Sequence, residues 1–143
     1  MPHARIAGTG RALPKRCVTN EELTRYMETS DEWIQQRSGV RTRYWIGEGE
    51  SCAGLAAEAS SKAIAAAGLD KSDLDLIILA TLSGDCFFPG TAAFLNERLG
   101  LAGVPAMDIR NPCTGFLYAL ATGTALIRAG MSRRILVVGV EIH

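Results

Sequence analysis

Three apolar runs set the rhythm of the second half of the chain: "LDLIILAT", "VPAMDI" and "RRILVVGV". Each is short, continuous and bounded by polar or glycine positions, the pattern of a strand buried in a parallel sheet. Between them, "PGTAAFLNERLG" and "CTGFLYALATGTALIRAG" read as helices ending at Gly100 and Gly130. Ahead of them, "CAGLAAEASSKAIAAAG" is an alanine-rich helix with Ser51 as N-cap and Gly68 as its C-terminal glycine. Strands alternating with helices predict an α/β layered fold with a largely parallel sheet.

The first fifty residues are less regular. "RIAGTGRALP" predicts a strand running into a loop. Thr19 and Glu22 form a T-x-x-E capping box that starts a short helix to about Glu28, and Thr29 with Glu32 opens a second turn ending near Gly39. Residues 40–50 have no clean period and are expected to be loop or ragged strand. No repeat, low-complexity segment or linker stands out, so the 143 residues are expected to form one domain.

Composition narrows the classes. Fifteen Lys plus Arg balance fifteen Asp plus Glu, which gives no reason to expect nucleic acid or an anionic membrane as a partner. No apolar run approaches the roughly 18 residues of a spanning helix, and "MPHARIAGTG" lacks the long apolar stretch of a secretory signal, so none is expected. Cys17, Cys52, Cys86 and Cys113 form no CxxC pair. Their spacing suits neither zinc nor a disulfide scaffold, so no metal site and a reduced, cytoplasmic chain are expected.

One cysteine is placed differently from the others. In "DIRNPCTGFLYAL", residues 108–120, Cys113 lies where a strand hands over to a helix. Backbone N–H groups and the helix dipole favour negative charge there, and hence the thiolate, which is the nucleophilic form. Gly115 removes a side chain from the first turn, and the helix behind it has almost no polar face. Such a helix is expected to be buried, with Cys113 at the inner end of a pocket. The competing reading is a structural cysteine, the role expected of Cys17, Cys52 and Cys86.

Two other stretches invite chemistry. In "TSDEWIQQRSGVRTR", Trp33 and Arg37 are four apart and share a helical face, where they form either an adenine-and-phosphate clamp or an ordinary surface pair. "IAGTG" lacks the third glycine of a dinucleotide fingerprint, since Leu13 stands there. Phe87 and Phe88 in "SGDCFFPG" are core or interface aromatics by default.

Together, "TSDEWIQQRSGVRTR", "LIILAT", "FFPGTAAFLNERLG" and "DIRNPCTGFLYAL" resemble the N-terminal half of β-ketoacyl-acyl carrier protein synthase III, in the thiolase superfamily. The likeness runs in order along nearly the whole chain. It implies a thiolase-like αβαβα layered sandwich, of which residues 1–143 supply most of the N-terminal half, the C-terminal half being absent. It implies that Cys113 accepts an acyl group from acyl-CoA, with its own N–H as one oxyanion donor. Trp33 and Arg37 match the clamp on the adenine end of CoA, with Thr29 nearby, and Phe88 matches an aromatic shaping the acyl pocket across a dimer interface. The strand at residues 104–109 would pair with its mate in a homodimer.

The implied reaction is condensation of an acyl-CoA primer with malonyl-ACP, initiating fatty-acid or polyketide synthesis. CoA is a substrate and no further cofactor is implied. Two alternatives remain. One is a related acyltransferase that joins two acyl-CoAs or acylates a hydroxyl; the other is a non-catalytic half-subunit. The family's histidine and asparagine match nothing here, because His3 and His143 stand elsewhere. A second chain supplying them is therefore an expected partner, and the 143 residues alone are expected to be unstable. Pro112 also departs from the family pattern, holding Asn111 extended and removing one N–H.

Overall fold

The computed structural model describes residues 3–142, so His143 lies outside the described residues. Two compact units emerge, one of Ser51–Ile142 with the N-terminal segment up to Ala12, the other Leu13–Glu50.

The larger unit contains helix α3 (Cys52–Ala66), strand β3 (Leu76–Ala80), helix α4 (Thr91–Leu99), strand β4 (Ala106–Ile109), helix α5 (Gly115–Arg128) and strand β5 (Ile135–Gly139). The three strands are parallel in the order β4-β3-β5. The sheet is thus the one the apolar runs predict. β3 is central and all five of its residues are buried. Its side chains alternate between two apolar layers. Ile77 and Leu79 pack with Ala56, Ile64, Leu95 and Leu99 of α3 and α4, whereas Leu76, Ile78 and Ala80 face Ala119 of α5. The result is an α/β/α layering in which this chain itself covers both faces of its central strand.

Burial on both faces, expected of all three strands, holds for β3 alone. β4 is an edge strand whose Ala106 and Met107 are exposed, and β5 buries only Leu136 and Val138. A continuous apolar run does not distinguish a centre strand from an edge strand, because strand order is a long-range property.

Helix ends follow local chemistry closely. Ser51 caps α3 through the Gly54 N–H at 3.0 Å, and Gly100 closes α4 at φ 70°. α5 departs from expectation. It buries only Gly115, Ala119 and Gly123, a stripe of small residues four apart that lets the helix lie close on the sheet. Phe116, Leu117 and Tyr118 are exposed. A helix without a polar face is covered only where a neighbour reaches it, and here Gly139 of β5 lies against Phe116 while Leu117 and Tyr118 stay more than half exposed.

The predicted strand at "RIAGTGRALP" does not form; residues 3–14 contain no regular element. Its glycines explain what the segment does instead. A Cβ on Gly10 would stand 2.6 Å from the Ala63 nitrogen, and one on Gly8 would overlap the Ala63 carbonyl oxygen. The pair brings extended backbone onto α3, and that close approach accounts for the glycines without any phosphate.

The smaller unit pairs β1 (Arg16–Thr19) antiparallel with β2 (Thr42–Trp45). It also carries helices α1 (Asn20–Leu23) and α2 (Asp31–Ser38). α1 is shorter than expected: past Leu23 the chain goes on as turns, with the Arg25 N–H on the Glu22 carbonyl and the Tyr26 N–H on the Leu23 carbonyl, three residues back instead of four. The cap of α2 is Ser30, whose hydroxyl accepts from the Trp33 N–H at 3.1 Å, and not Thr29 one residue earlier. β1 was not foreseen: of its four residues only Val18 is buried, too little for an alternating pattern to register.

Candidate functional site

The chemistry-bearing turn connects β4 to α5. After Ile109 the chain passes through Arg110, Asn111 and Pro112, and the Gly115 N–H closes a tight turn onto the Pro112 carbonyl at 2.7 Å. The Thr114 hydroxyl donates to the Asn111 side-chain oxygen at 3.1 Å, bracing the turn from within. Cys113 stands at its crest, one residue before the N-cap Thr114, at the C-terminal end of a parallel strand. The Cys113 side chain is exposed. The expected position at the inner end of a pocket is not what the structure shows, because the far side of α5 is uncovered. Gly115 is buried against Ala80, but a Cβ there would stand 3.4 Å from the nearest side-chain atom, an ordinary contact. Close packing therefore does not demand glycine at that point.

The start of α5 is chemically unusual in this chain. Side chains satisfy the N-termini of the other helices: Thr19 for α1, Ser30 for α2, and Ser51 for α3. The Asp108 carboxylate does so for α4, accepting from Thr91 N at 3.0 Å and Ala92 N at 3.1 Å. Thr114 makes no such bond at α5. The Gly115 and Leu117 N–H groups bond the Pro112 and Thr114 carbonyls at 2.7 and 3.0 Å, but no side-chain anion sits at this helix start, so its positive dipole end is left to act on whatever anion lies beside Cys113.

Cys52 provides the contrast. It is fully buried, with its sulfur 3.7 Å from the Thr81 hydroxyl. Burial pushes its thiol up from 9.0 to about 11, and the Asp85, Glu141 and Asp108 carboxylates add to the rise while the Thr81 hydroxyl opposes it. It is a neutral packing group at ordinary pH.

Residues 81–90, between β3 and α4, carry Phe87 and Phe88, which are 84% and 86% exposed. Three carboxylates fix this loop. Glu141 accepts from Leu82 N at 2.8 Å and Ser83 N at 3.0 Å, and also from the Ser83 hydroxyl. Asp85 accepts from Cys52 N at 2.7 Å and Ala53 N at 2.8 Å, tying the loop to α3. Asp108 holds its far end. The Arg110 guanidinium lies over the Phe87 ring, 4.7 Å from its centroid. A cleft beside the loop is lined by Thr81, Cys86, Phe87, Pro89 and Arg110 but not by Cys113 or Phe88. Sequence reasoning passed over Asp85, Asp108 and Glu141. For Asp108 and Glu141 the available signal was an acid inside or directly after an apolar run, which must find donors to be tolerated there, whereas Asp85, after Ser83 and Gly84, carries no such signal.

Thr29, Trp33 and Arg37 belong to the smaller unit. The Arg37 guanidinium lies 5.8 Å from the Trp33 ring centroid, so the four-residue spacing does bring the two together. Trp33 is 57% exposed and available to a ligand. Thr29 precedes the Ser30 cap and is half-buried. Among the described residues no group of three His, Cys, Asp or Glu could hold a metal ion, and no helix is long and apolar enough to cross a membrane. His3 is the one described imidazole.

Residues 107–143 match the family described as 3-oxoacyl-[acyl-carrier-protein (ACP)] synthase III. A beta-ketoacyl-[acyl-carrier-protein] synthase III of Laribacter hongkongensis is 49% identical over 141 residues, covering 99% of this chain and 44% of the relative. The crystal structure of 3-oxoacyl-[acyl-carrier-protein] synthase III from Aquifex aeolicus superposes with a TM-score of 0.91 at 41% identity, over 96% of this chain and 44% of that one. The priming β-ketosynthase of the R1128 polyketide pathway superposes equally well, at 0.91, with 30% identity, over 96% of this chain and 41% of that one. The chain therefore spans less than half the length of the relatives it matches, and its α/β layers are those of their thiolase-like fold.

Proposed function

The chain belongs, as an N-terminal part, to the β-ketoacyl-[acyl-carrier-protein] synthase III family, and we propose that it serves the condensation of an acyl-CoA primer with malonyl-ACP. The product would initiate a fatty-acid or polyketide chain. The observation that carries this reading is Cys113, exposed at the uncapped N-terminus of α5 within the region that matches the family.

The steps follow from that placement. The Cys113 thiolate attacks the acyl-CoA carbonyl carbon, forming a carbon–sulfur bond as the bond to the CoA sulfur breaks. CoA leaves with the proton that Cys113 gave up. Negative charge on the carbonyl oxygen peaks in between, and N–H groups at a helix start stabilise it at no reorganisation cost. Malonyl-ACP then loses CO2, and the electron pair of the broken bond attacks the acyl carbon. The Cys113 thiolate is expelled and regenerated. The family's histidine and asparagine, which assist decarboxylation, match no residue of this chain.

Trp33 and Arg37 suit the other end of the primer. An exposed indole offers a face to adenine, and a guanidinium beside it pairs a phosphate. Thr29 lies next to that helix. Phe88, exposed on its loop, suits an acyl pocket shared across a homodimer, and the open edge of β4 suits pairing with its mate. CoA serves as substrate, no prosthetic group enters the steps, and a cytoplasmic setting accords with the ACP partner.

Acyl loading tests the reading. The protein is mixed with acetyl-CoA, digested and mapped by mass spectrometry. One acetyl group on the Cys113 peptide is expected, and Cys113→Ser should abolish it, since serine is a far weaker nucleophile without a strong base. An acyl group on Cys17, Cys52 or Cys86 refutes the assignment; no acyl group at all favours a non-catalytic half-subunit.

A further inference from the structure

Helix α2 has eight residues and buries none of them. A helix of that length is unstable alone in water, and its apolar content anchors it only weakly, since Ile34 is only partly buried. Ser30 caps its start and Gly39, at φ 72°, ends it, but these bonds are internal to the helix and its caps. What ties its two ends to the rest of its unit is polar. Asn20, 1% exposed, donates from Nδ2 to the Asp31 carboxylate at 2.8 Å and to the Val40 carbonyl at 2.8 Å. Asp31 is the first residue of α2, and Val40 follows the glycine that closes it. One buried side chain therefore pins both ends of the helix.

The amide is itself held. The Asn20 oxygen accepts from the Arg43 guanidinium on β2, and Arg43 also reaches the Val18 carbonyl on β1 at 3.4 Å. Every donor and acceptor site of Asn20 named here is used toward a different element. Aspartate has no donors for the two ends, serine has one, and glutamine would move the group by a methylene. Hydrogen bonds from Gln35 and then Asn20 hold the Asp31 carboxyl below its ordinary value, so the acceptor is ionised and the tether charge-assisted.

We infer that Asn20 is a positioning residue for CoA: by clamping both ends of α2 onto the β1–β2 ribbon, it sets how the Trp33–Arg37 pair is presented to the nucleotide end of acyl-CoA. The inference rests on the CoA reading of that pair given above. Asn20 touches no substrate; it acts through the two side chains that do.

Steady-state kinetics of the condensing enzyme as a whole chain test this, varying acetyl-CoA and malonyl-ACP in turn. Four variants are needed: Asn20→Ala, Asp31→Ala, Trp33→Ala, and Asn20→Ala combined with Trp33→Ala. Asn20→Ala should raise the acetyl-CoA KM about tenfold and leave kcat and the malonyl-ACP KM in place. Asp31→Ala, which frees one end only, should raise it about threefold. Added to Trp33→Ala, the Asn20 change should have a smaller effect than it has alone, because only Arg37 is then left for it to position.

Other results overturn the inference in distinguishable ways. An unchanged acetyl-CoA KM in Trp33→Ala removes the CoA reading of the pair, and the Asn20 role with it. A raised KM in Trp33→Ala beside wild-type values in Asn20→Ala and Asp31→Ala removes the Asn20 role alone. A joint fall in kcat and rise in both KM values marks general damage and also counts against it. Should Asn20→Ala fail to fold, Asp31→Ala decides alone, since Asp31 is exposed: a raised acetyl-CoA KM with kcat kept supports the inference, and a wild-type KM rejects it.

Discussion

The carboxylate of Asp108 fills the space that a side chain on Gly90 would need: a Cβ built there would lie 3.0 Å from the Asp108 carboxyl carbon and closer still to one of its oxygens. Gly90 also has φ 110°, which only glycine adopts without strain. Asp108 lies five positions before Cys113 and Gly90 two after Phe88, so this contact joins the strand that leads to Cys113 to the aromatic loop. Gly90→Ala should therefore destabilise the protein by about 2 kcal/mol or more, combining backbone strain with overlap. Asp108→Ala should cost about 0.5–2 kcal/mol through loss of the α4 cap. In the double variant the overlap is gone, so the combined loss should fall short of the sum. Urea denaturation measures all three, and full additivity would contradict the contact.

Cys52 and Cys113 should differ sharply toward alkylation. At pH 8 the Cys52 thiol, titrating at about 11, holds roughly 100-fold less thiolate than it would at its own ordinary 9.0, and it is buried whereas Cys113 is exposed. Iodoacetamide with peptide mapping should modify Cys113 first, Cys52 only on unfolding. The same shift has a consequence for stability. The folded value is raised, so the neutral thiol's contribution is intact below pH 9.0 and is lost as pH rises through about 11. Wild type should lose stability over that window relative to Cys52→Ala; parallel curves would mean Cys52 does not titrate as stated.

Trp33→Ala and Arg37→Ala should each raise the acyl-CoA KM while sparing the malonyl-ACP KM. A charge-assisted contact is worth about 1.5–3 kcal/mol, on the order of tenfold or more in affinity. Equal effects on both substrates, or none, would return the pair to the status of a surface contact.

Phe88→Ala should separate stability from selectivity. A side chain 86% exposed in this chain contributes little to its folding, so the change should stay within about 0.5 kcal/mol. If the ring shapes an acyl pocket, the preference among acyl-CoA lengths should shift all the same. Rates measured with acetyl-, butyryl- and hexanoyl-CoA decide the matter, and an unaltered order of preference would reject the role.

Much of the architecture was determined locally, by the sequence itself. The apolar runs become β3, β4 and β5; Ser51, Gly68, Gly100 and Gly130 mark helix ends; and the spacing of Trp33 and Arg37 brings their side chains together. Each depends on neighbours a few residues away, so short-range pattern suffices to read it. The strand-to-helix position of Cys113 was legible for the same reason. What only the tertiary structure decided involves partners far apart in the chain. Whether "VPAMDI" is a centre or an edge strand depends on β3, and whether α5 is covered depends on what packs outside it. The glycines of "IAGTG" serve helix α3, some fifty residues on. The tethers from Asp85, Asp108, Glu141 and Asn20 are equally non-local: a carboxylate or amide in one element satisfies backbone or side-chain groups of another. A polar side chain announces that it needs a partner, but only the folded chain supplies one.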